Sequence, residues 1–314
     1  MSSQKIFKLN TGADIPAIGL GTWLSGKDDS GYTSVKEAIN VGYRHIDTAF
    51  MYGNEEQIGR GVRDGLKENG LERKDIFVTT KLPPTYHRPE KVVEAFNSSF
   101  ASLNIEYIDL YLMHWPVPLN PASGEKIPLR PDGSRDLDET MLGKFDVTWA
   151  AMEKLLDTGK VKAIGVSNFS IPNLEHLLKT SKVVPAVNQI ELHPFNPQNK
   201  LLEYCSSKGI HCSAYSPLGT SNGNLCENST ITDIAAAHKI LPAQVLISWG
   251  ITRGSVLPKS VTPSRIKANF ETIELSKEEI ERINTLGSTH PKRFVSPNWG
   301  VPVFDEEFEL ASKN

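Results

Sequence analysis

Eight short apolar runs recur along the chain, each followed by a helical pattern, and this alternation limits the possible folds more than any other feature of the sequence. The runs are Ala17 to Gly21, Arg44 to Ile46, Ile76 to Thr80, Ile108 to Met113, Val161 to Val166, Ala186 to Ile190, His211 to Ala214 and Ser255 to Leu257. Each has the length of a strand buried on both faces, the pattern of a parallel sheet covered by helices. Helical patterns follow at Tyr32 to Val41, Glu55 to Glu68, Pro89 to Leu103, Met141 to Thr158, Ile171 to Lys179, Pro197 to Lys208 and Ile231 to Arg253, the last interrupted at Leu241-Pro242. Further helices are expected at Pro263 to Phe270 and at Lys277 to Leu286, where Ser276 and Glu279 have the spacing of a capping box. Pro89 stands where a first-turn proline belongs and Gly159 where a C-terminal cap belongs. Eight such units favour an α/β fold of the (β/α)8 TIM-barrel type over an open doubly wound sheet, with residues 1–314 as a single domain.

Three segments lie outside the rhythm. Ile6 to Leu9, the turn residues Asn10-Thr-Gly12 and Ile15 read as an N-terminal β-hairpin able to plug one end of the barrel. Pro116 to Glu139 is rich in proline, glycine and charge and reads as a long loop over the barrel mouth. The tail from Ser288 to Asn314 reads as irregular, but Phe294, Trp299, Phe304 and Phe308 make it aromatic enough to pack.

Composition removes several classes of function. A formal net charge of -3 and a pI near 6.3 give no footprint for a polyanion, so no nucleic-acid partner is expected. Cys205, Cys212 and Cys226 are odd in number and form no Cys-x-x-Cys pair, as suits structural thiols in a reducing compartment. No window approaches a membrane span or a signal peptide, so a soluble, cytoplasmic chain is expected, and a monomer is the simplest assembly.

In a barrel the C-terminal strand ends face one side, so residues just past them meet in space. Asp47 follows the second run, with Tyr52 in its loop; Lys81 follows the third, His114 the fourth and Ser167-Asn168 the fifth. Gln189 and Glu191 end the sixth, Tyr215-Ser216 the seventh and Lys259-Ser260 the eighth. Singly, these have ordinary readings: a buried ion pair for Asp47 and Lys81, a packed phenol for Tyr52, a core-capping ring for His114. Together they place four titratable groups of complementary type at one rim, which stability alone does not require. An ammonium beside a phenol favours the phenolate, so Lys81 is expected to lower the pKa of Tyr52 while Asp47 holds Lys81. His114 would donate to a carbonyl oxygen, and the set suits protonation of an oxyanion as hydride reaches a carbonyl carbon.

The usual nucleotide fingerprints are missing. Gly19-Leu-Gly21 begins a Gly-x-Gly pattern that stops at Leu24 and runs into a loop, so no Rossmann site is expected. Gly21 to Lys27 fits a phosphate loop until Asp28, whose carboxylate would repel the phosphates, so nucleotide triphosphate turnover is not expected.

The run Gly42 to Gly59, with Asp47, Tyr52 and Glu55 in place, resembles the signature of the aldo-keto reductases. So do Lys81-Leu82, Leu110-Tyr-Leu-Met-His114-Trp-Pro116, Gly165-Val-Ser-Asn-Phe169, Asn188-Gln-Ile-Glu191, Ala214-Tyr-Ser-Pro-Leu-Gly219 and Pro258-Lys-Ser-Val-Thr262. The likeness runs from Gly19 to about Phe304 and is strongest to the fungal aldehyde reductases and NADP-dependent glycerol dehydrogenases, partly through Ser296-Pro-Asn-Trp299 and Val303-Phe304. It implies a barrel enzyme that reversibly reduces small aldehydes or ketoses with NADPH and uses no metal.

By that resemblance Tyr52 is the general acid, Lys81 and Asp47 its tuning pair, and His114 the group that orients the carbonyl. Ser167, Asn168 and Gln189 would hold the nicotinamide carboxamide, with the ring stacked on Tyr215 and Thr22 and Trp23 beside it. Ser216, Leu218 and the loop to about Asn222 would follow the pyrophosphate. Lys259, Ser260, Val261, Thr262 and Arg265 would meet the adenosine 2′-phosphate, and Asn269 the adenine. Independently of the family, Lys259 and Arg265 flank a helix start at Pro263, where backbone N–H groups and the dipole favour an anion. Trp23, Phe50, Trp115 and Trp299 would wall the substrate pocket. Pro83 replaces an aromatic residue common in relatives, and Ser264 and Ala268 replace acidic ones near the adenine, implying a changed pocket and a looser clamp on the cofactor. The competing reading is a regulatory or structural member of the fold that binds cofactor with little turnover. The presence of all four catalytic-type residues counts against it.

Overall fold

The eight apolar runs become eight parallel strands in one sheet that closes on itself. A computed structural model describes residues 5–25, 28–220 and 224–311 of the chain. A hairpin, β1 (Ile6–Lys8) and β2 (Asp14–Pro16), precedes the barrel strands β3 (Leu20–Gly21), β4 (His45–Asp47), β5 (Phe77–Leu82), β6 (Ile108–Met113), β7 (Val161–Ser167), β8 (Val187–Glu191), β9 (His211–Tyr215) and β10 (Ser255–Leu257). Neighbours pair in chain order from β3 to β10. The ring is closed by Val256 N–H to Ala17 O at 2.7 Å, Gly19 N–H to Val256 O at 2.9 Å and Gly21 N–H to Pro258 O at 3.0 Å. Gly19 is required at this seam, because a Cβ there would lie 2.7 Å from Leu257 Cδ2 and 2.8 Å from the His45 ring.

Strand side chains alternate between the two faces, so parity along each strand decides what enters the barrel. Phe77, Leu110, Leu112, Ala163 and Val187 cluster inside, while Ile46, Val78, Tyr111, Met113, Ile164 and Val166 pack outward under the helices. The hairpin pairs Phe7 with Ile15 around Gly12, whose φ of +84° needs glycine. Its Leu9 and Ile15 complete the inner cluster and stop the N-terminal end of the barrel, as the sequence suggested.

The outer layer contains α1 (Ser30–Val41), α2 (Glu55–Glu68), α3 (Pro89–Leu103), α4 (Phe145–Glu153), α5 (Ile171–Leu178), α6 (Asn199–Ser207), α7 (Ser229–His238), α8 (Pro242–Ile251) and α9 (Pro263–Phe270), followed by α10 (Lys277–Asn284), α11 (Leu286–Thr289) and α12 (Asp305–Ala311). The Ser276–Glu279 capping box is formed in both directions, at 3.2 and 2.8 Å. Two expectations are corrected. The helix expected from Met141 starts at Phe145, because Gly143 takes φ +69° and breaks the approach. The tail is not wholly irregular: α12 follows Phe304, and Glu307 Oε2 accepts the Val303 and Phe304 amides at 2.7 and 3.0 Å. Residues 312–314 of the tail lie outside the described residues. The loop from residue 116 to 139 carries bridges Leu119–Leu137 and Leu129–Arg135. Among the described residues no single helix is long and apolar enough to cross a membrane; α7 and α8 pass such a test only as a pair bent by 97°.

Burial leaves some imidazoles hard to charge. It pushes His87 down to about 3, and His45 likewise to about 3, with the Lys81 charge adding to the effect at His45. An unfolded histidine takes up its proton near about 6.5. These folded pKa values are depressed, so the associated stability is complete above the unfolded value and is lost as pH falls toward 3. His87→Leu should flatten the pH dependence of stability between about pH 6 and 4 by roughly one proton. Urea unfolding at a series of pH values measures this directly.

Candidate active site at the C-terminal rim

Several strands run one or two residues further than their apolar runs, and this extension builds the site. Asp47 ends β4, Lys81 lies inside β5, Ser167 ends β7, and Tyr215 ends β9. The polar residues that looked like strand terminators keep the inward parity of His45, Thr79, Gly165 and Ser213 two positions earlier. They therefore point into the upper barrel, where they bond to one another.

Lys81 is fully buried and its three N–H groups have three acceptors: Asp47 Oδ1 at 2.7 Å, Thr48 O at 2.8 Å and Tyr52 Oη at 3.3 Å. The other Asp47 oxygen accepts Gln189 Nε2 at 2.7 Å, and the Asp47 carbonyl accepts the Thr22 amide and hydroxyl at 3.1 and 2.9 Å. Thr22 in turn receives Asn54 Nδ2 at 2.9 Å. The His114 ring meets Tyr52 edge-on at 5.8 Å between centroids, so phenol and imidazole border the same space. Behind β5, buried Glu55 accepts the Thr80 and Ser99 hydroxyls at 2.6 and 3.0 Å, and burial raises its pKa.

The electrostatics correct one expectation. Tyr52 is held well above the usual phenol value rather than below it, first by burial and then by the negative charge of Asp47. The Lys81 ammonium does not reverse this, since its charge is matched by Asp47 and burial lowers its own pKa. Burial, and then Lys81, drive His114 well below its usual value, so it stands as a neutral imidazole. Its Nδ1 is buried without a hydrogen-bond partner among the described residues.

A second group is linked to the first. Asn168, at φ +64°, donates to His114 O at 3.0 Å and Ser167 Oγ at 3.2 Å and accepts the Tyr215 hydroxyl at 2.7 Å. Ser167 Oγ donates to Gln189 O at 2.8 Å. Ser167, Asn168, Gln189 and Tyr215 are therefore together, tied by hydrogen bonds to one another, to His114 and to Asp47. For a bound amide there is acceptor capacity on Ser167 Oγ and Gln189 Oε1 and, among the described residues, a second N–H on Gln189 Nε2 beyond the one given to Asp47. Ser216 follows at φ +49° and Leu218 is half-buried, while Ser221 and Asn222 of the expected pyrophosphate loop lie outside the described residues, as do Gly26 and Lys27 of the phosphate-loop near miss.

Past β10, Lys259, Val261, Thr262 and Arg265 are exposed, with Ser260 and Asn269 buried beside them. Ser260 Oγ accepts the Thr262 amide at 3.1 Å, and the first turn of α9 carries no acidic residue. Among the described residues neither Lys259 nor Arg265 has an acidic partner, as fits cations set where an anion is to arrive, although partial burial lowers the pKa of Lys259. The aromatic candidates divide. Trp115 and Trp299 are buried against each other at 5.0 Å, whereas Trp23 is 51% exposed and Phe50 packs on Tyr86 at 5.6 Å. Tyr86, the partner of Phe50, was not singled out in the sequence; it is half-buried and packs against the main hydrophobic cluster. Glu191 was noted as a strand end and as the last residue of Asn188-Gln-Ile-Glu191, without a role; its carboxylate is fully buried and engaged by the tail.

A (β/α)8 barrel with a phenol, a buried ion pair and a neutral imidazole at its C-terminal rim is the layout of a barrel enzyme. The chain belongs to the Aldo/keto reductase family, whose profile matches residues 17–287. It is 48% identical over 306 residues to the glycerol 2-dehydrogenase (NADP(+)) of Saccharomyces cerevisiae, covering 95% of this chain and 96% of the relative. It is 47% identical over 313 residues to an aldehyde reductase of the same yeast, covering 96% and 98%. Among solved structures, the aldose reductase of Schistosoma japonicum superposes with a TM-score of 0.86 at 42% identity, covering 92% of this chain and 93% of that one.

Removing one member of a buried ion pair leaves the other charge unmatched. Asp47→Ala should destabilise the fold by about 3–5 kcal/mol, read as a lower urea midpoint at unchanged m value.

Proposed function

We propose that this chain is an NADPH-dependent oxidoreductase that reversibly reduces small aldehydes and ketoses, with glyceraldehyde and glycerol as a representative pair. The observation that carries the reading is the contact of Lys81 Nζ with both Asp47 and the Tyr52 hydroxyl, beside the His114 ring. NADPH, when bound, supplies the hydride. Tyr52 gives its proton to the oxygen that becomes negative as the carbonyl carbon is reduced, and His114, neutral, orients that oxygen by a hydrogen bond. Lys81 keeps the phenol oxygen in place and compensates the charge that Tyr52 acquires on losing its proton. Asp47 keeps Lys81 charged where burial would neutralise it. Lys259 and Arg265, without an acidic partner among the described residues, flank the start of α9 and receive the additional phosphate that distinguishes NADPH from NADH. Trp115 and Trp299 wall the substrate side.

Tyr52→Phe should lower reduction of DL-glyceraldehyde by about 10² to 10⁴ while NADPH binding, followed by fluorescence, persists. A normal rate in that variant would remove Tyr52 as the acid.

The raised pKa of Tyr52 also sets the pH behaviour. Reduction uses the protonated phenol, so kcat/KM for the aldehyde should hold from neutral into alkaline solution and fall only above the unperturbed phenol value of about 10. Alcohol oxidation needs the deprotonated form and should rise over the same range.

Arg265→Ala should weaken NADPH binding by about tenfold or more, the scale of a hydrogen bond to a charged group, with little effect on NADH. Equal loss for both cofactors would move the phosphate site elsewhere.

A further inference from the structure

We propose that Glu191 is a positioning residue for substrate selection, clasping the C-terminal segment so that Trp299 stands against Trp115 beside His114. The proposal rests on the reductase reading above and adds how that site chooses its substrates. Glu191 is completely buried at the end of β8, two residues after Gln189 and on the same inward face. Its Oε1 accepts the Phe294 amide at 2.6 Å and its Oε2 the Val295 amide at 2.7 Å. His193, also fully buried, adds a contact from Nε2 to Oε1 at 2.8 Å. Burial works to raise the carboxyl pKa, but His193 and the two amides outweigh it and leave Glu191 below the ordinary value. A carboxylate with both oxygens committed to consecutive backbone N–H groups fixes a chain in position and direction.

The clasped segment leads directly to the pocket wall. From Val295 it runs to Val303, where a second anchor begins: Asn173 Nδ2 donates to Val303 O at 3.4 Å, and the Ile171 amide donates to Asp305 Oδ1 at 2.9 Å. Trp299 lies midway between these anchors, packed on Trp115 at 5.0 Å and capped by the Arg135 guanidinium at 5.4 Å. Trp115 is bonded to His114 in the chain. Strand β8 thus holds Asp47 through Gln189 and the tail through Glu191, so the proton-transfer groups and the pocket wall share one rigid support.

The test uses the full-length chain. Glu191→Gln keeps the shape but presents an N–H to one of the two amides, and Val295→Pro removes a single amide from the tail and leaves the barrel untouched. Each should change the ratio of kcat/KM for 4-nitrobenzaldehyde to that for DL-glyceraldehyde by about tenfold, the scale of a hydrogen bond to a charged group. The change should follow the direction of Trp299→Ala. Glu191→Gln added to Trp299→Ala should change the ratio no further, NADPH affinity should stay at the wild-type value, and amide exchange across residues 294–300 should accelerate. An unchanged ratio despite faster exchange would overturn the clasp, as would multiplying effects in the double variant or a parallel loss of NADPH affinity. Absence of NADPH consumption by the wild-type chain with both aldehydes would instead overturn the reductase reading itself, and substrate selection with it.

Discussion

An ammonium shut away from water must find an acceptor for each of its N–H groups and a negative charge nearby, and Lys81 does so only in one arrangement of the barrel. Its partners come from the end of β4, from the peptide that follows, and from the turn carrying Tyr52. The register of β4 on β5, Asp47 opposite Thr79, brings the carboxylate within reach. A slip of one residue would turn Lys81 out toward the helices and Asp47 away from it. The ion pair is thus a demanding specification of how the first half of the barrel is assembled. Burial makes it costly to break and gives it little net contribution to stability.

From that pair the polar contacts extend around the rim. Gln189 joins Asp47 to the far side of the barrel, Ser167 bonds to the Gln189 backbone, and Asn168 connects to both His114 and Tyr215. The residues come from the ends of β4, β6, β7, β8 and β9 and hold one another, so the groups facing a ligand are ordered before it arrives. Lys259 and Arg265, on either side of the start of α9, stand apart from this network and have no acidic partner among the described residues. This division suits a ligand whose reactive part needs exact placement and whose far end needs chiefly charge.

The fold was legible because buried parallel strands and amphipathic helices write different periods into the sequence, and all eight apolar runs became strands. Strand ends were less legible. Asp47, Lys81 and Tyr215 were read as lying past their strands because polar residues usually mark a boundary; in a barrel mouth they pair across the ring and the ladder continues. Chemical type and order along the chain identified Asp47, Tyr52, Lys81 and His114. Neither could reveal that burial and Asp47 together would overrule Lys81 and raise the Tyr52 pKa, since desolvation depends on neighbours the sequence does not name. Glu191 was hidden for a similar reason. Its partners are backbone amides at Phe294 and Val295, and a backbone amide has no letter in the alphabet of side chains.

The N-terminal hairpin has a consequence for how the chain is made. Leu9 and Ile15 rest on Phe77, Leu110, Ala163 and Val187, and Asn10 donates to Pro185 O at 3.1 Å. The seam beside them depends on Val256. During synthesis these early residues leave the ribosome long before their partners exist, and they must wait, unpaired, until most of the barrel has emerged. A segment made well before its partners is among the last to settle.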